Sequence, residues 1–162
     1  MTDGDRTFLY SPPYPFRMDN DLFERILIPL ADSEDAERTA RAVRPHLTSG
    51  TTLVVTHVNE SGSGETTVET GRDEFAESVY ERFHSVLFSI LDPDDIQFEW
   101  VTLQGREVSE ALADAVGIVD PSLVVFTPRD IDDWDRTLAG DPGGQLIRET
   151  EVPVMVFPAR TL

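Results

Sequence analysis

Apolar residues in this chain recur with two different periods that alternate from one end to the other. Runs such as "RILIPL" at 25–30, "TTLVVTHV" at 51–58, "SLVVFT" at 122–127 and "VPVMVF" at 152–157 are short, β-branched and almost uninterrupted. That is the pattern of strands covered on both faces. A fifth run, "IQFEWVTL" at 96–103, alternates apolar with polar positions and predicts a strand with one exposed face. Between these runs the spacing turns helical. Ala36, Ala40 and Val43 share one face after Ser33, which reads as an N-cap followed by acids suited to the positive end of a helix. Phe75, Val79, Phe83, Val86, Leu87 and Ile90 form a second stripe that stops at "DPDD", and Val108, Leu112, Ala115, Val116 and Val119 form a third that stops near Pro121. "DPGGQLI" places Asp141 as N-cap and Pro142 at the first position of a last helix.

Strands alternating with helices imply right-handed crossovers. The predicted fold is α/β, a three-layer sandwich with a five-stranded parallel sheet and helices on both faces. Ligands in such sheets gather at the carboxyl ends of the strands, where the strand order reverses. Residues 1–22, with Pro12, Pro13 and Pro15 among Tyr10, Tyr14 and Phe16, show neither period and read as an extended arm before a domain at 23–162. Residues 59–72 read as a polar loop.

Charge narrows the choice of partners. The 162 residues carry 31 acids against 13 basic residues, for a net charge of −18, and every basic residue is Arg. A field of that sign repels nucleic acid and anionic lipid, so neither is expected as a partner. The acids are interleaved with periodic apolar positions, which indicates a folded acidic surface of the kind expected in a salt-rich cytoplasm. No apolar run approaches the roughly 18 residues that cross a bilayer, and the first residues lack the pattern of a signal peptide. The expected location is cytoplasmic. The lack of cysteine removes disulfides, thiolate metal sites and cysteine nucleophiles.

Chemistry-bearing motifs are few. There is no G-x-G-x-x-G, and a Walker motif is impossible without lysine. D-x-D-D-x-D from Asp130 to Asp135 lacks the glycine and the glutamate of a calcium loop and reads as a solvated acidic loop. His46, His57 and His84 show no metal spacing, and His57 reads as a packed or hydrogen-bonded residue. "GSG" at 62–64 is not a nucleophile elbow. With no catalytic constellation, no enzyme is expected. Trp134 would cover either a pocket or a partner.

In order and spacing, "RILIPLADSEDAERTARAV", "LVVTHV", "PSLVVFT" and "EVPVMVF" resemble the universal stress protein family, in its salt-adapted archaeal type, over roughly 23–157. The resemblance implies a fold like that of the adenine-nucleotide hydrolases. It also implies a homodimer paired through the last strand, where Val152, Val154 and Val156 alternate with Pro153, Met155 and Phe157. Proline suits such an edge, and an exposed apolar edge needs covering. In members that bind ATP, the fourth strand leads into G-x2-G-x9-G followed by Ser or Thr. Taking Gly140 as the third glycine puts Thr127, Asp130 and Asp141 at the other three positions, so one of four matches. Ala31 stands where the family commonly has a nucleotide-facing Asp. The implied nucleotide site is therefore Ala31, Val58, Thr127, Asp130, Gly140 and Asp141, in a degenerate form. A stress-response or regulatory protein without ATP or metal, acting on an unidentified protein partner, is the expected function. The alternative is a magnesium-dependent ATP switch, with a metal bridging the loop acids to phosphates held by Arg129 and Arg136.

Overall fold

The computed structural model describes residues 21–60, 66–71, 77–128 and 142–157. After a 3-10 turn at Asp21–Phe23, the elements run β1 (Arg25–Pro29), α1 (Ser33–Val43), β2 (Thr52–Asn59), β3 (Thr67–Thr70), α2 (Glu77–Ile90), β4 (Gln97–Gln104), α3 (Val108–Val119), β5 (Leu123–Phe126), α4 (Pro142–Glu149) and β6 (Val154–Val156). Strand order in the sheet is β3-β4-β2-β1-β5-β6. From β1 the chain steps outward through β2 to β4, then crosses to the other side of β1 for β5 and β6. The reversal therefore lies between β1 and its two neighbours, and a crevice opens beyond their carboxyl ends.

Period-2 alternation along β1 divides the core in two. Ile26 and Ile28 face one side with Leu53, Val55, Leu123 and Val125, and meet Ala36, Ala40 and Val43 of α1 and Phe83 and Leu87 of α2. Leu27 faces the other side with Val54, Val101, Leu103 and Val124, and meets Ala111, Leu112, Ala115, Val116 and Val119 of α3. All three of these β1 side chains are fully buried, and each such side chain contributes about 1.5–3 kcal/mol. The three layers and the parallel crossovers agree with the pattern read from the sequence.

Two features of the sheet differ from that reading. It has six strands rather than five, because Thr67–Thr70, inside the expected loop, pairs antiparallel with β4. "TVET" offers only one apolar residue for a period to register. Val68 pairs with Leu103 and packs on the α3 side of the core, and these contacts are tertiary. With β3 outside it, β4 is an internal strand. Its expected exposed face is lost over Trp100–Leu103, all of which are buried.

Helix ends follow local chemistry. Asp32, not Ser33, caps α1: its backbone is extended at φ −150°, and its Oδ1 accepts the Asp35 N–H at 2.9 Å. Ser33 is already the first helical residue. α3 ends at Asp120, which adopts φ 50° and donates its N–H to Val116 O, a left-handed cap that Asp tolerates. Pro142 opens α4 as expected, while Asp141 lies outside the described residues. At the amino end of the sheet, Arg25 reaches over the start of β2 to grip Glu99 with two bonds of 2.8 and 2.7 Å, and its Nε donates to Val119 O.

Candidate functional site

A cleft of about 390 Å³ opens at the carboxyl ends of β1, β2 and β5. Three short-range devices shape it. Leu30 donates its N–H to Thr56 O at 2.8 Å, which carries the β1–β2 ladder past the end of β1. His57 Nδ1 lies 3.0 Å from Leu30 O; a carbonyl only accepts, so Nδ1 carries the proton. Edge-on contact with Phe83 at 5.8 Å completes the packing of this ring. Ala31 donates its N–H to Asp35 Oδ2 at 3.2 Å, drawing the first turn of α1 to the rim of the cleft. Asp35 in turn pairs with Arg38 one helical turn on.

The cleft is mostly apolar, with Pro29, Val58, Val108, Leu112 and Phe126 among its walls. One polar group stands out within them. Thr56 is wholly buried, yet its hydroxyl has no hydrogen-bond partner among the described residues. It belongs to the same face of β2 as Val54 and Val58, the face that packs toward α3. The charged groups on the walls are the carboxylates of Asp35 and Glu60; no arginine of the described residues lines the cleft.

Of the six nucleotide-site residues expected from the sequence, Ala31 and Val58 line this cleft. Thr127 does not. It is buried on the α1 side, its hydroxyl 3.3 Å from Thr39 Oγ1. Asp130, Gly140 and Asp141 lie outside the described residues, as do the acidic run from Asp130 to Asp135, Arg129, Arg136 and Trp134. Val152 and Val154 are half-buried against the α3 layer, while Met155 and Phe157 pack on the other face, which gives the alternation expected of the last strand. Val152 itself precedes β6, and β6 is an outer strand of the sheet.

Asp35 and Thr56 were not among the expected site residues. Asp35 looks in sequence like an ordinary acid in a first helical turn. Thr56 had a readable signal, as one of two polar residues, with His57, in "LVVTHV", a run otherwise suited to double burial.

The described walls fit the ring portion of a nucleotide better than its phosphates. A mostly apolar cleft with a few polar groups suits a small heterocycle. Among the described residues, a triphosphate would meet the acids Asp35 and Glu60 and no arginine on the walls. Among the described residues no group of three or more His, Asp or Glu is placed to hold a metal ion, and no helix is long and apolar enough to cross a membrane.

Comparison with known proteins places the fold. No curated protein is similar to the chain in sequence. Among solved structures it is similar to a universal stress protein in complex with cAMP, with 11% identity over 85% of this chain and 98% of the other and a TM-score of 0.57. It is also similar to a universal stress protein from Archaeoglobus fulgidus, with 16% identity over 83% and 93% and a TM-score of 0.52. A family member from Arabidopsis thaliana with AMP bound gives 13% identity over 84% and 92% and a TM-score of 0.52. Identities this low speak for the fold alone. The sequence model of the universal stress protein family matches residues 22–158, and the chain belongs to that family.

Proposed function

We propose that this protein is a non-enzymatic stress-response regulator of the cytoplasm, adapted to high salt and homodimeric through β6, whose nucleotide site is too degenerate to take ATP usefully. The observation that carries the reading is the cleft itself: it stands at the reversal of strand order, yet among the described residues the acids Asp35 and Glu60 line it and no arginine does. The sequence of the following loop supports it, since Asp130, Asp132, Asp133, Asp135 and Asp141 outnumber Arg129 and Arg136. Thr127 and Asp130 replace residues that would let a backbone approach phosphate closely. Signalling then runs through an unidentified protein partner, with neither nucleic acid nor membrane involved, as the −18 charge favours.

The persistence of the cleft, together with relatives crystallised with cAMP and AMP, supports a second reading. In it, magnesium bridges the loop acids to a nucleotide and the protein is a switch. Mass analysis of small molecules released from protein purified with and without magnesium separates the two. The first reading predicts no nucleotide in either preparation. Stoichiometric ATP retained only with magnesium would establish the second.

A further inference from the structure

We infer that residues 10–16 of the amino-terminal arm dock, as an extended proline-rich segment of the same chain, on an aromatic stack formed by Phe23, His46 and Phe157. None of the three lines the cleft, so the inference is independent of what the cleft binds.

Three elements far apart in sequence build this surface. Phe23 ends the 3-10 turn before β1, His46 ends a second 3-10 turn directly after α1, and Phe157 follows β6. The Phe23 and His46 rings are stacked, with centroids 5.5 Å apart and planes 11° apart, and His46 meets Phe157 at 5.2 Å. Phe23 and Phe157 are half-buried against the α1 side of the core, whereas His46, between them, is exposed. Leu22, next to Phe23 in the chain, is 39% exposed and adds an aliphatic side chain at the point where the arm joins the described fold. Ring faces open to water are the surface that proline-rich segments recognise, because a proline ring is flat, apolar and already held in an extended backbone.

The chain itself supplies the occupant. Residues 10–16, outside the described residues, read "YSPPYPF": three prolines and three aromatic rings with no charge, in a protein whose net charge is −18. Left in water, those rings keep an apolar surface hydrated, and laying them on the stack removes it from water on both sides. The prolines narrow the conformations open to the free segment, which lowers the entropy lost on docking. Reach is sufficient. Six steps of chain separate Phe16 from Leu22, a span of up to about 20 Å, whereas neighbouring rings of the stack are 5.5 and 5.2 Å apart. Residues 158–162 leave from Phe157 at the same surface, but they carry no aromatic ring and a single proline. The arm is the better match. Its contacts are apolar, so the screening that weakens exposed charge pairs at high salt leaves them in place.

NMR on the full chain tests this. In carbon-13-labelled protein the ring protons of His46 should show through-space contacts with side chains of residues 12–16, and the contacts should remain within one molecule when labelled and unlabelled chains are mixed. Tyr14→Ser combined with Phe16→Ser should lower Tm by about 2–4 °C. The same two changes made in a His46→Ala background should lower it by clearly less, since the arm and the stack then no longer have an interaction to lose. Contacts from the arm only to a different copy, contacts from residues 158–162 in its place, or no contact from the arm to His46 would each overturn the inference. So would a Tm unchanged by the two arm substitutions, or one lowered equally with and without His46.

Discussion

The two ends of the sheet treat acidic groups in opposite ways. At the amino end, Glu99 is clasped by both terminal nitrogens of Arg25, and the same guanidinium also bonds Val119 O, so one cation ties β1, β4 and the end of α3 together. At the carboxyl end, Asp35 and Glu60 border an apolar cleft that no described arginine enters. Glu99 is used wholly in a structural pair, whereas Asp35, although it pairs with Arg38, also lines the recess together with Glu60. In a protein with 31 acids and 13 arginines, where the cations are placed is therefore informative.

The largest effect is expected from salt, which acts on every unpaired acid at once. With a net charge of −18, self-repulsion destabilises the fold in dilute buffer, and screening shortens from about 10 Å at 0.1 M to about 3 Å at 1 M. Tm should climb steeply as KCl is raised. A flat profile would mean that the unpaired acids are not straining the fold.

The next effect concerns the outer edge at β6. Pro153 O accepts from Val124, and Phe157 donates to Phe126 O, so alternation turns the N–H of Val154 and of Val156 away from β5. Val154→Pro thus leaves the internal ladder whole and removes one outward donor from each subunit. Light scattering should show monomer in place of dimer. An undiminished dimer mass would place the interface elsewhere.

A smaller effect sharpens the amino-end half of the comparison. Hydrogen bonding to Arg25 holds the Glu99 carboxyl below its ordinary range. A depressed folded pKa stabilises the protein above the unfolded value of about 4.3, and that stabilisation is lost as pH falls through the lower folded value. Glu99 is about half exposed, so Glu99→Gln should cost no more than about 1 kcal/mol near neutral pH. In denaturant titrations the gap between the two proteins should shrink as pH is lowered from about 4.3 through the lower folded value. A gap that stays constant with pH would show that the pair contributes through packing, not charge.

How much of this was legible in the sequence depends on where the information resides. The core strands announced themselves because Ile26–Ile28, Leu53–Val55 and Leu123–Val125 are buried on both faces, and such burial demands continuous apolar runs. β3 left no comparable mark, since its one apolar residue finds its partner in Leu103, 35 residues away. The burial of β4 is tertiary in the same way, since Val101 and Leu103 are covered by α3 and Trp100 packs with the α2 side of the core. Ser33 and Asp32 are both good caps, and only backbone geometry chooses between them. Ala31 and Val58 were reachable by resemblance, and the structure sets both on the cleft. Asp35 was not reachable, because nothing in a helical first turn says which acid folds back toward a strand end.

The central claim is that the acids around this cleft keep ATP out. Magnesium ATP titrated calorimetrically into the full chain tests it, alongside a Thr127→Gly, Asp130→Gly, Asp141→Ser variant in which the glycines restore close approach and the serine removes a carboxylate from a helix end suited to anions. The account predicts that wild-type binding is no tighter than about 1 mM and that the variant gains affinity by tenfold or more. Micromolar binding by the wild type would contradict it, and would make the acidic loop a metal-assisted phosphate site.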